Sequence, residues 1–362
     1  MEKKYKLTEE TINIANKTLY RIEALKDFAN VKKGDKGGFV EKEENLSQSG
    51  DCWVYGDAMV YGNANVYDDA VICDKAEVCD NAVISDKVTI SCDAEVYGNA
   101  EVYENAEVFG HAEVFGYAKV FGYAEVSGYA EVSGNAEIHG SAEVFSKTKV
   151  YGNAEVFGYA EIYGDAEVFG HAEVFGYAEI SGNAKVYDNA KVYYKAEVCG
   201  NAKVFGSAII LDSAKVYGDA QVYGNAVVYG DTIVCGSAKI YGNAVVCDDA
   251  EVYDNAVVHG EAQVYGHALV YGNMEIYGNT WVYGDAEVYD DAKVFGNAKI
   301  FGDAQVYGDT LVCDNAQIYG KAVVHDDAVV CDNAIVCDNA EVYEDAVVCG
   351  DMVICGNAVV YD

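Results

Sequence analysis

Any chemistry in this chain would have to come from carboxylates, imidazoles and thiols, and the sequence supplies 60 Asp and Glu, six His and 12 Cys. Glu107, Glu125, Glu143, Glu161, Glu179 and Glu197 follow one another at intervals of 18 residues. If the fold stacks those positions, six carboxylates form a column in which each raises the pKa of its neighbours. Protonation or a weakly bound divalent cation would relieve the repulsion. A solvated acidic ridge is the simpler reading of the same column.

The histidines, His111, His139, His171, His259, His267 and His325, each carry an imidazole able to act as a general base. All six replace ordinary members of a repeat, and their positions assemble no cluster for metal ligation. Ten of the cysteines, among them Cys73, Cys79, Cys199 and Cys235, fall in a slot otherwise held by Tyr or Phe. Their spacing follows the repeat, neither a zinc-ligand pattern nor a disulfide framework, so no metal site or cofactor is expected. Stacking would still bring Cys331 and Cys349 close enough to oxidise.

The element that positions all of these groups is a six-residue unit typified by Ala-Glu-Val-Tyr-Gly-Asn. It runs from Val54 to Val360 with an aliphatic residue every sixth position, about 52 hexads without insertion or deletion. Ala-Glu-Val-Tyr reads as a four-residue strand and the last two residues as a turn tolerant of positive φ. Alternation along a strand puts Ala and Val on one face and Glu and Tyr on the other. An antiparallel meander with two-residue hairpins would set Val of one strand against Glu of the next on one face. A β-helix with three hexads per coil avoids that conflict, because each residue then lies over its equivalent 18 positions away. The expectation is roughly 17 coils and a length near 80 Å at the ~4.8 Å strand spacing.

Two further columns follow from that register. Asn recurs at positions 63, 81, 99, 135, 153, 189, 225, 243, 279, 297, 315 and 333, all on one side, as a hydrogen-bonding ladder would require. Tyr97, Phe115, Tyr151, Phe169, Tyr187, Phe205, Tyr223 and Tyr241 form an aromatic column on one side, and the other two sides carry similar rings. Stacked rings stabilise neighbouring strands, and a row of them also suits lateral docking of another protein or a polysaccharide.

The hexad pattern resembles that of the left-handed β-helix superfamily, which includes many acyltransferases. The segments Thr18–Ile22, Gly37-Gly38-Phe39-Val40 and Asn45-Leu46-Ser47, leading into Gly50–Tyr55, are similar to those of the YdcK-like proteins. The resemblance implies an all-β fold, a single-stranded left-handed β-helix with a small N-terminal cap. The hand is implied by the resemblance alone, since crossover rules favour the opposite one. Relatives with activity use a His beside a subunit cleft, a loop extruded from the coils and an acyl-CoA-type donor. No extruded loop interrupts Val54–Val360 here.

Residues 1–50 read as the cap and residues 51–362 as the solenoid. Within the cap, Glu10–Ile14 and Thr18–Leu25 read as two strands about an Ala15-Asn16-Lys17 turn, with a helix as the alternative. Lys32–Gly38 reads as a mobile basic loop, with an anion or partner site as its sharper reading. Toward the other end the outward acidic position becomes apolar at Val323, Val329, Ile335, Val347, Val353 and Val359, a candidate self-association surface. The net charge of −36 opposes nucleic-acid binding. No apolar run approaches a membrane span and no signal peptide opens the chain, so a cytoplasmic protein is expected. The sequence thus points to a rigid rod-like scaffold or binding surface that associates with itself, end to end or laterally. The alternative is an acyltransferase with an acyl-CoA donor.

Overall fold

The hexad forms its strand from two residues, one outward and one inward. In Glu95–Val96 and Glu101–Val102, as in most repeats, the outward residue is exposed or half-buried and the aliphatic one fully buried. The expected four-residue strand is therefore shortened, because Ala and the aromatic already bend into the turns. Four-residue strands occur at Gln263–Gly266, Trp281–Gly284, Lys299–Gly302 and Gln317–Gly320. Pairing is parallel and in register with the strand 18 residues on: Glu95 lies beside Glu113 and Val96 beside Val114. Beyond the strand the ladder continues through the turn, with Tyr97 N donating to Val114 O at 3.0 Å and Asn99 N to Gly116 O at 2.7 Å.

This computed structural model describes residues 3–14 and 16–362 and divides into two compact units, Met1–Gly182 and Asn183–Asp362. Each unit contains three parallel sheets built by the same rule, and the strands make a β-solenoid of about 18 turns. Ala15, part of the expected hairpin turn, lies outside the described residues.

The interior consists almost entirely of Ala and Val or Ile side chains with no exposure to solvent. Thr148, Thr232, Thr280 and Thr310 replace Ala without leaving a buried hydroxyl unpaired. Each donates to the carbonyl three residues back, as Thr232 Oγ1 does to Tyr229 O at 2.6 Å.

The turn explains why Gly alternates with Asp. Its first residue is left-handed throughout, with φ of 72° at Gly98 and 61° at Asp188. A Cβ on Gly98 would lie 2.9 Å from Gly116 N, so glycine above glycine gives the closest stacking. Where Asp takes the position, its carboxylate accepts the amide of the equivalent residue one turn on. Asp188 Oδ2 receives Gly206 N at 3.2 Å, and Asp332 Oδ2 receives Gly350 N at 2.9 Å. That bond offsets part of the roughly 1 kcal/mol cost of the left-handed backbone.

At the N-terminus, β1 (Tyr5–Ile14) and β2 (Lys17–Ala24) form an antiparallel hairpin. β3 (Lys36–Val40) pairs antiparallel with β2 and parallel with Met59–Val60, so the hairpin joins the first solenoid turns through one strand. This corrects the reading of Lys32–Gly38 as a mobile loop. Gly37 and Gly38 are buried in or beside that strand, and a Cβ at Gly37 would lie 2.5 Å from Val54 O and 2.7 Å from the Trp53 ring. The glycines permit close approach of the sheet; they do not cradle an anion. Lys32 and Lys33 donate backbone amides to Asp35 and Asp27, which fixes the turn before β3. Trp53 is buried edge-on against Tyr5 and Phe28. Beside it the buried Lys4 ammonium donates to the carbonyls of Ser49, Gly50 and Cys52 at 3.3, 3.3 and 2.9 Å.

Candidate functional site

The acidic column is positioned by strand register. Glu107, Glu125, Glu143, Glu161 and Glu179 pair in sequence within the first unit, with no basic residue among them. Burial, followed by the flanking carboxylates, pushes Glu125 and Glu161 above the usual carboxylate range. The neighbouring columns are interrupted instead: Lys149 Nζ meets Glu131 at 2.9 Å and Lys119 lies 3.5 Å from Glu137. Glu197, in the second unit, pairs with Lys215 at 2.9 Å, so it has a cationic partner of its own.

Aromatic rings occupy the outward position and stack face to face. Tyr187, Phe205, Tyr223, Tyr241, His259, Tyr277 and Phe295 form one continuous stack with centroids 4.6–5.2 Å apart. Tyr253 to Tyr361 form a second stack of seven that includes His325. The polar tip of a ring reaches the acidic position 16 residues on. Tyr97 Oη donates to Glu113 at 3.0 Å, Tyr151 Oη to Glu167 at 3.2 Å, and Tyr61 Oη to Glu77. Burial and then the Glu113 carboxylate accordingly hold the Tyr97 phenol well above its ordinary value.

The histidines belong to these stacks and to the turn ladders. His139 lies between Phe121 and Phe157, His259 between Tyr241 and Tyr277, and His325 between Tyr307 and Tyr343. His259 Nε2 is 3.0 Å from Glu275, and His325 is 3.1 Å from Asp326 and 3.4 Å from Glu341. His111 stacks on Tyr129, His171 meets Asn153 at 3.5 Å, and His267 lies 3.5 Å from Asp249.

The asparagine ladder forms where Asn residues adjoin, as in Asn63 to Asn81 to Asn99 and Asn297 to Asn315 to Asn333, at 3.1–3.2 Å. Tyr, His, Ser and Glu interrupt it, and the other two sides carry ladders of their own, such as Asn183 to Asn201 on one and Asn339 to Asn357 on the other. Turn carboxylates also line an open concavity of about 680 Å³ that includes Asp290, Asp309, Asp326, Asp327 and Asp345.

All 12 cysteines are free thiols. Burial pushes Cys73 and Cys79 each up to about 11, and burial with the Asp314 carboxylate pushes Cys313 up to about 12. Such thiols are poor nucleophiles at neutral pH. The stacking of the thiols was read from the sequence, but not the Asp that joins them: Cys331, Asp332 and Cys349 hold their ligand atoms within 4.8 Å of one another, as do Cys337, Asp338 and Cys355. A Cys-Asp pair followed 18 residues later by Cys is the signal that would have found both.

Val323, Val329 and Ile335 are half-buried by neighbouring turns, whereas Val347, Val353 and Val359 are each more than half exposed. No helix among the described residues is long and apolar enough to cross a membrane. A family model described as YdcK Beta solenoid repeat matches residues 220–236 and 262–274. No curated protein matches the chain.

Proposed function

We propose, proceeding from a chain that carries the YdcK β-solenoid repeat, that this protein is a rigid scaffold whose repetitive sides form a binding surface and which associates with itself. The observation that carries the reading is the use of its functional side chains. Imidazoles, phenols, carboxylates and amides are consumed in ladders from one turn to the next, as His139 between Phe121 and Phe157 illustrates. A stacked, paired side chain stiffens the solenoid and is costly to redeploy as a base. We take the solenoid as left-handed with three hexads to a coil, in keeping with the resemblance and the 18-residue register.

The self-association surface in this proposal is the apolar outward row Val347, Val353 and Val359, continued by Val323, Val329 and Ile335. A net charge of −36 opposes contact between copies, so association should strengthen with salt as the Debye length falls from ~10 Å at 0.1 M to ~3 Å at 1 M. The test is light-scattering mass at micromolar concentration for the parent chain and for Val347→Lys/Val353→Lys/Val359→Lys. A multiple of the chain mass that rises with salt and collapses in the variant is expected. A single-chain mass for the parent under all salts would refute self-association. The acyltransferase alternative predicts turnover of an acyl-CoA that is lost in one His→Ala variant.

A further inference from the structure

We propose that Cys331/Asp332/Cys349 and Cys337/Asp338/Cys355 are two binding sites for a thiophilic divalent cation of the zinc or cadmium class. Each cluster is built by the same local rule. The first Cys occupies the outward position of one turn, and the following Asp opens the turn with φ of 57° at Asp332 and 60° at Asp338. Strand register then brings the second Cys over the first, as Val330 pairs with Val348 and Val336 with Ile354.

The three ligand atoms of each cluster lie within 4.8 Å of one another. A tetrahedral ion with metal–sulfur bonds of about 2.3 Å places its thiolates about 3.8 Å apart, so only a small closure is needed. The carboxylate is also aimed before any ion arrives. Gly350 N holds Asp332 Oδ2 at 2.9 Å, and Gly356 N holds Asp338 Oδ2 at 3.1 Å. Two sulfurs and one oxygen leave a fourth position for water, and partial exposure of the clusters admits it. Soft thiolate ligands select such an ion over magnesium or calcium, which the many exposed carboxylates would take weakly and without geometry.

Binding must displace protons. A metal of this class ligates the thiolate, so each cysteine that enters a site gives up its thiol proton. Each ion forms two metal–sulfur bonds, two S–H bonds break, and two protons pass to solvent. No electron moves. Affinity should therefore rise about 100-fold per pH unit below the thiol pKa, a dependence that carboxylate binding lacks between pH 6 and 8.

The experiment is titration of the full, reduced chain with Zn²⁺ and with Cd²⁺ in excess Mg²⁺, following proton release and the ultraviolet thiolate-to-cadmium absorption. Two ions per chain with four protons released are expected. Cys349→Ser should leave one ion, and Cys349→Ser/Cys355→Ser none, with circular dichroism unchanged. Asp332→Asn should weaken one site while keeping its thiolate absorption. Stoichiometry unchanged in the double variant, absence of the thiolate band, or binding independent of pH would overturn the proposal.

Discussion

Replacing one glutamate in the uninterrupted acidic column should make the first unit more stable. Glu125 lies in register between Glu107 and Glu143, half-buried, with its pKa raised first by burial and then by those two carboxylates. At the ~4.8 Å strand spacing, each neighbour contributes about 0.9 kcal/mol of repulsion at the dielectric of water. Two neighbours, reduced by screening over a Debye length of ~8 Å, leave about 1 kcal/mol at physiological salt. Glu125→Gln removes that repulsion, and Glu125→Lys reverses it, for gains of about 1 and about 2 kcal/mol.

The pH dependence has a definite sign. A carboxyl whose folded pKa is raised binds its proton more tightly in the folded state, so its contribution is most favourable below the unfolded value near 4.3 and is lost as pH rises through the folded one. The advantage of Gln should therefore be full at pH 7 and vanish near pH 3. Repeat arrays need not unfold as one unit, so native-state hydrogen exchange is the suitable assay. The amides of Glu107 and Glu125, which donate to Ala124 O and Ala142 O at 3.0 Å, should gain about five-fold protection in the Gln variant. No gain at pH 7, or a gain that persists at pH 3 or in 1 M salt, would refute the electrostatic account.

Gly37→Ala should detach the N-terminal sheet, because the new Cβ has 2.5 Å to Val54 O and 2.6 Å to the Ile22 side chain; a loss of about 3 kcal/mol should appear as rapid proteolysis within β1 and β2. Lys4→Met leaves three carbonyls without their shared donor and should cost about 2–4 kcal/mol in thermal unfolding of the first unit. Asn315→Ala removes both ladder bonds, to Asn297 and Asn333, for about 1 kcal/mol by hydrogen exchange. Asn315→Asp, which still accepts from Asn297, should cost about half as much.

The repeat made the core and the stacking legible, because a six-residue period with small and branched residues on one face has few ways to bury both. The strands themselves were read too long, since sequence alternation does not show where Ala and Tyr begin to turn. Gly37 and Gly38 were misread for a related reason: glycine next to lysine suggests a loop, and only the distance to Val54 and Trp53 reveals a strand that must lie close to its neighbour. The stacking of Cys331 on Cys349 was legible, but the clusters escaped as metal sites because the turn Asp beside the two thiols was not counted as a third ligand. The column of Glu107 to Glu179 was legible, but not that Glu197 has Lys215 for a partner.

The asparagine ladders have a sense as well as a position. Each Asn donates its Nδ2 to the Oδ1 of the residue 18 further on, so the side-chain amides point one way and their dipoles add, as peptide dipoles do in a helix. The oxygen end of such a series is negative and the amide end positive. Lys42 Nζ meets the first oxygen of one series, at Asn63, and Asp219, Asp291 and Asp351 each receive the last amide of another. These charged residues act as counter-ions at the poles of the series. Lengthening a series by copying its internal turns would enlarge the dipole while leaving its neutralising charges in place, whereas copying a turn that carries one of these ions would bury the charge within the series and divide it in two.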